Sequence, residues 1–189
     1  MVEKLDALDL RILGELQKDA RTSVTTLSDA VYSSRPTVTI RLKRLLEEER
    51  AIIRGGLNLR KLGFKMALVG LEVKGDDVRR DTEQYLKGCP RVLNIFRTPE
   101  KANIQLSVWG EDEQTINSTI ESFRDLLNVE VVYTHYLGTP IHGDVVLKLE
   151  SSVSDKTPCG KICSDCHRFK NTRCPGCPLS SDYENPLLK

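Results

Sequence analysis

The 189-residue chain has almost no excess of charge of either sign: 28 lysines and arginines stand against 27 aspartates and glutamates, a formal net charge of +1. That balance excludes a uniformly basic nucleic-acid coat and an acidic tail protein, so any charge-driven function must be local. The sequence also lacks a run of about 18 apolar residues, the length that a membrane-crossing helix requires. Its opening, Met1-Val2-Glu3-Lys4-Leu5-Asp6, lacks the basic-then-apolar order of a secretory signal. The expected location is the cytoplasm, with no membrane partner. What is present, 39% hydrophobic and 29% charged residues, is the composition of a soluble globular protein of one ordinary domain or two small ones. Six cysteines are the unusual count. In a reducing compartment they point to metal ligands, redox sensors or buried hydrophobes rather than stable disulfides.

Both totals change meaning once they are resolved along the chain. Residues 1–60 carry +2, residues 61–150 carry −3 and residues 151–189 carry +2. Cys159, Cys163, Cys166, Cys174 and Cys177 fall within 19 consecutive residues, leaving Cys89 alone upstream. Three segments are expected: 1–60, 61–150 and a linker with a cysteine-rich tail over 151–189.

In the first segment, Leu5, Leu8, Ile12, Leu13 and Leu16 recur at spacings of three and four, one face of an amphipathic helix. Asp6 and Asp9 sit at its start, where the helix dipole favours acids. A second helix begins after Ser23 as cap, with Val24, Leu27, Ala30 and Val31 as its expected buried stripe. The third begins at Ser34, with Pro36 in the first turn, and runs to about Glu49 with Val38, Leu42, Leu45 and Leu46 inward. Three helices with a tight turn before the last spell helix-turn-helix.

The solvent face of the third helix carries the information. Arg35 to Arg44 contain four basic residues and no acid, and acids return only at Glu47, Glu48 and Glu49. Projection at about 100° per residue puts Pro36, Ile40 and Lys43 outward, flanked by Thr37, Thr39 and Arg44, with Arg35 and Arg41 nearer the buried edge. Basic and hydroxylated first turns followed by an acidic end suit a recognition helix that enters the major groove by its amino-terminal turns. Ile40 could meet a thymine methyl. The candidate DNA-binding residues are therefore Ser34, Arg35, Pro36, Thr37, Thr39, Ile40, Arg41, Lys43 and Arg44. A solvated mixed-charge surface helix is the plain alternative for such a charge run, and the two preceding helices turn the balance against it.

Over residues 5 to about 150 the chain resembles the Lrp/AsnC family. The resemblance is carried by Leu5-Asp6-x-x-Asp9-x-x-Ile12-Leu13-x-x-Leu16-Gln17-x-Asp19-Ala20-Arg21, by Ser34-x-x-Thr37-Val38-x-x-Arg41-Leu42-x-Arg44-Leu45, and by Ile52-Ile53. It implies a non-enzymatic, dimeric or larger DNA-binding transcription regulator acting on double-stranded DNA. It also implies a wing or hairpin over Ile52 to Leu59, where the family often has Gly just before the wing and this chain has Arg50.

In the middle segment the residues spell strand (66–73), helix (78–86), strands (92–96 and 104–109), helix (113–127) and strand (129–137), with Cys89-Pro90 closing the first helix. This is the βαββαβ order of a ferredoxin-like sheet with both helices on one face. The expected fold class is α+β: a winged helix-turn-helix, a ferredoxin-like sensing and dimerisation domain, and a small cysteine-rich metal-binding tail. The uncovered sheet face makes a homodimer the expected state. The resemblance further implies a possible small-molecule effector, an amino acid in some members. Those commonly have Gly and Asp in the turn between the second and third strands, whereas here it reads Thr98-Pro99-Glu100-Lys101-Ala102-Asn103, with no glycine. His135 and His142 bear on a rival reading, because sirohaem decarboxylases, haem-pathway enzymes on the same fold, bind a tetrapyrrole in that domain and keep a degenerate helix-turn-helix. An intact basic third helix argues against it.

After a further strand expected over Asp144 to Leu149 and a polar linker to Pro158, the tail reads CxxxCxxCx7CxxCP from Cys159 to Pro178. Two CxxC pairs can each bite a metal through a tight turn. Tetrahedral zinc would use Cys163, Cys166, Cys174 and Cys177, leaving Cys159 and His167 spare. A 4Fe-4S cluster would take Cys159, Cys163 and Cys166, with Cys174 or Cys177 as the fourth ligand. A metal-free thiol switch is the third option. Without a metal, so few apolar residues are expected to be disordered. Cys89 reads as a small semi-buried hydrophobe or, less directly, a sensor thiol.

Overall fold

The computed structural model describes residues 4–187 apart from 139, 142, 144, 146, 148–153 and 155. His142 and most of the strand expected over 144–149 lie outside the described residues. The chain forms two compact units, 1–55 and 56–189. The cysteine-rich tail therefore belongs to the second unit and does not stand apart behind a linker.

The first unit is three helices, α1 (Ala7–Lys18), α2 (Val24–Ala30) and α3 (Arg35–Glu47). Each starts where a short polar side chain satisfies free N–H groups. Asp6 and Asp9 form a reciprocal capping box on α1, and Ser23 and Ser34 accept the Thr26 and Thr37 N–H groups at the starts of α2 and α3. The helices close on Ile12, Leu16, Leu27, Val31 and Val38. Two details depart from the expected stripes: Ala30 is exposed and Ser28 takes the inward place, and Leu46 is exposed where Leu45 is buried. The wing does not form among the described residues. Residues 52–58 have no regular structure, and a short α4 (Leu59–Leu62) follows, ended by Gly63 in the left-handed region at φ 73°.

The second unit is built on β1 (Lys65–Val73), α5 (Asp76–Gly88), β2 (Val92–Arg97), β3 (Ile104–Gly110), α6 (Glu113–Arg124) and β4 (Val129–Leu137). The sheet is antiparallel in the order β2-β3-β1-β4, as the ferredoxin-like reading requires. Alternate residues Ala67, Val69, Leu71 and Val73 of β1 and Ile104, Leu106 and Val108 of β3 face α5 and α6, meeting Leu86, Ile116, Ile120 and Phe123. On the other face a ladder irregularity at Gly70/Leu71 brings the Tyr133 ring directly over Gly70, where a Cβ would lie 2.3 Å from the ring. Tyr133 in turn stacks on His135 at 4.8 Å, a packing role for that histidine. Phe96, 58% exposed, and Leu137 share this open face.

The tail contributes a 3-10 turn (Cys163–Asp165) and α7 (His167–Lys170). It is ordered by ion pairs rather than by apolar burial. Arg168, buried, donates to Glu121 (3.1 Å) and Asp125 (2.8 Å), Arg173 pairs with Glu121, and the Ser118 hydroxyl donates to the Arg173 carbonyl at 2.7 Å. Those partners all lie on or just after α6. This anchoring on α6 is a contribution that a count of apolar residues does not register.

Candidate nucleic-acid interface and cysteine site

The first turns of α3 are set by their own residues. The Ser34 Oγ accepts the Thr37 N–H at 3.3 Å and lies 2.8 Å from the Thr37 hydroxyl. Pro36 stands where its missing N–H costs no bond, and the Thr39 hydroxyl donates back to the Arg35 carbonyl at 2.9 Å. Ser34, Arg35, Pro36, Thr39, Ile40 and Lys43 are exposed, Ile40 to 67%, and Thr37 is partly so. The outward surface thus combines two cations, hydroxyls and one bare aliphatic side chain, the donors and apolar contact that base edges and phosphates accept. Lys43 lies 3.7 Å from Glu47, an exposed pair that leaves its ammonium open to exchange.

Arg41 and Arg44 belong to a different group. Arg44 Nη2 donates to Asp9 Oδ2 at 2.7 Å, and Arg41 pairs with Asp6 and, at 3.4 Å, with Asp9. The Asp9 side chain is 1% exposed. Both arginines bind α3 to α1, so Arg44, expected to flank the outward face, is drawn to the neighbouring helix. The Asp6 carboxyl is held below its usual value by the Asp9 backbone N–H and by Arg41. Sequence reasoning passed over Tyr32, 94% exposed at φ 53° in the turn ahead of α3. A large non-glycine residue in so tight a turn was the available signal.

The second site was half legible. Cys159, Cys163, Cys166, Cys174 and Cys177, together with Cys89, line one cavity of ≈ 60 Å³ beside α6. Cys89 packs, partly buried, against the sheet core, as expected of a small semi-buried hydrophobe, and also faces this cavity. Arg91, two residues on, spans both parts of the unit. It pairs with Glu111 at 2.6 Å, donates to the Gly176 carbonyl at 2.9 Å inside the Cys174-Pro175-Gly176-Cys177 turn, and lies over the Trp109 and Tyr183 rings. Burial pushes the Cys177 thiol up to about 12 and raises those of Cys89 and Cys174 as well, against the pull of nearby backbone N–H groups and Arg91. His167 is exposed at the start of α7. Among the described residues no three His, Cys, Asp or Glu side chains are arranged to hold a single metal ion.

Three short helices with an exposed, basic third helix, followed by a βαββαβ sheet, define a helix-turn-helix DNA-binding protein carrying a ferredoxin-like domain. The AsnC-type helix-turn-helix domain matches residues 5–46. An HTH-type transcriptional regulator of Pyrococcus horikoshii is 32% identical over 142 residues, covering 68% of this chain and 86% of the relative. The regulator LrpC of Bacillus subtilis is 28% identical over 149 residues, 77% of this chain and 96% of LrpC. Its solved structure superimposes with a TM-score of 0.62 at 26% identity, covering 75% of this chain and all of LrpC. A regulator of Neisseria meningitidis solved as its L-Met complex shares the fold, with a TM-score of 0.63 at 21% identity, covering 77% of this chain and 97% of that one. The chain belongs to the Lrp/AsnC family of helix-turn-helix transcriptional regulators. No helix among the described residues is long and apolar enough to cross a membrane.

Proposed function

We propose that the chain is a sequence-specific regulator that reads operator DNA with the first turns of α3 and assembles as a homodimer or larger through the open sheet face. The observation that carries this reading is the sorting of charges on α3. Lys43 and Arg35 are exposed, whereas Arg41 and Arg44 are spent on α1. A helix held by its own arginines, with Arg35, Lys43, Thr39 and Ile40 exposed along its first turns, is suited to the major groove. The carboxylate of an amino acid, as in the L-Met complex of the Neisseria relative, is one candidate effector class. In this chain the Asn103 side chain of the β2–β3 turn is bonded to both backbone groups of Val73 (3.0 and 2.9 Å), which ties that turn to β1. The cysteine site adds a metal-binding or redox-responsive element, with zinc or a 4Fe-4S cluster as occupant. An enzymatic, sirohaem-type reading has no comparable support, because its logic is a degenerate recognition helix.

The test is a salt titration of operator binding, with the operator selected from random DNA. Each lost phosphate contact lowers the slope of log K against log salt by about 0.9. Lys43→Ala is expected to flatten the slope by about 0.9 per protomer, about 1.8 for a homodimer on its operator, with no loss of thermal stability. An unchanged slope and affinity would refute the placing of the DNA surface.

A further inference from the structure

We propose that the six-cysteine cavity is one iron–sulfur site, a [4Fe-4S] cluster held jointly by the tail and the sheet domain, with Cys89 supplying the ligand from the sheet domain and three tail cysteines the rest. This rests on the reading of the tail as a metal-binding element and sharpens it, naming the occupant and adding a ligand from outside the tail.

Convergence is the first observation. The chain's six cysteines all line the same cavity, although Cys89 lies at the C-terminal end of α5 and the others beyond the sheet. Size is the second. A water needs about 10–15 Å³ of such space, so ≈ 60 Å³ leaves room for several water-sized bodies. Four thiolates around one zinc at about 2.3 Å stand only about 3.8 Å apart and leave no cavity. A cluster brings its own iron and sulfide and requires its cysteines to stand back around it. That requirement agrees with six cysteines lining one space.

The lining chemistry is the third observation. The Cys177 N–H lies 3.4 Å from the Cys163 sulfur, which ties the two tail cysteine pairs to each other. Hydrogen bonds to sulfur stabilise and tune an anionic cluster. Arg91, Lys161 and Arg168 also line the cavity; Arg91 and Arg168 already pair with Glu111 and with Glu121 and Asp125, and the exposed Lys161 adds positive charge that suits the net negative charge of a cluster ligated by thiolates. A cluster held at Cys89 would sit at the junction of α5 with β2, so its presence would be felt by the assembly domain directly.

Full-length protein purified without oxygen and reconstituted with ferrous iron and sulfide, with zinc offered in parallel, tests the proposal. About four iron and four sulfide per chain are expected, with a broad absorption near ~400 nm from sulfur-to-iron charge transfer. Cys89→Ser, nearly isosteric, is expected to change the paramagnetic resonance signal of the dithionite-reduced cluster. Cys89→Ala should speed loss of the absorption band to a chelator by roughly tenfold or more. Wild-type spectra and chelator lability in Cys89→Ser, with its circular dichroism unchanged, would overturn the role of Cys89 and leave a metal-binding tail intact. One or two zinc per chain, with iron rejected, would overturn the cluster while sparing the tail's metal-binding role. No metal of either kind would overturn both readings together.

Discussion

Replacing Asp9 isolates what fastens the recognition helix. Its carboxylate, 1% exposed, accepts from Arg44 at 2.7 Å, faces Arg41 at 3.4 Å and takes the Asp6 N–H at 3.3 Å to complete the α1 capping box. Removing one partner of a fully buried pair costs about 3–5 kcal/mol. Here the arginine side chains remain 30% and 38% exposed, so water recovers part of that, and about 2–3 kcal/mol is the expected loss for Asp9→Ala. Asp9→Asn keeps the shape and an acceptor but not the charge, and about half that loss is expected. For a unit of this size each kcal/mol lowers the midpoint by roughly 4–8 °C. Thermal melts of Asp9→Asn, Arg44→Ala and the double variant, followed by circular dichroism, form the assay. The two changes share one interaction, so the double variant should be less destabilised than the sum by about 1 kcal/mol or more. Additive losses, or an Asp9→Asn midpoint equal to wild type, would refute the account and return Arg44 to the DNA surface.

Gly70→Ala places a methyl into the Tyr133 ring, so overpacking of about 1–3 kcal/mol should lower the melting midpoint of the sheet unit, and the added Tyr133→Ala change should restore much of it. The Glu83 carboxyl, held below its usual value by Arg97 at 2.6 and 2.7 Å, binds its proton more weakly in the folded than in the unfolded chain. Its contribution is therefore complete above the unfolded value of about 4.3 and is lost as pH falls through the lower folded value. Glu83→Gln should flatten the acid limb of a stability–pH curve in that window, and an unchanged limb would count against the pair.

The helix-turn-helix and the βαββαβ order could be read from the sequence because both depend on short-range periodicity and on cap residues such as Ser23, Ser34 and Pro36. Local steric and hydrogen-bonding rules act within a few residues, so these features show without a fold. The wing over Ile52 to Leu59 was implied by resemblance alone, and no local pattern there enforces a strand. The fate of Arg44 shows where a helical wheel stops: it gives the side chain's direction but not the acid on another helix that captures it.

Sequence by itself determined the class of protein, the caps, the alternating strands and the five-cysteine tail, because each is set by neighbours along the chain. Only tertiary structure decided that the tail docks on α6 through Arg168, that Arg41 and Arg44 fasten α3 to α1, and that Cys89 joins the other five thiols around one cavity. Each of these depends on charge and packing between residues far apart in the chain, and a distance through space has no signature in spacing.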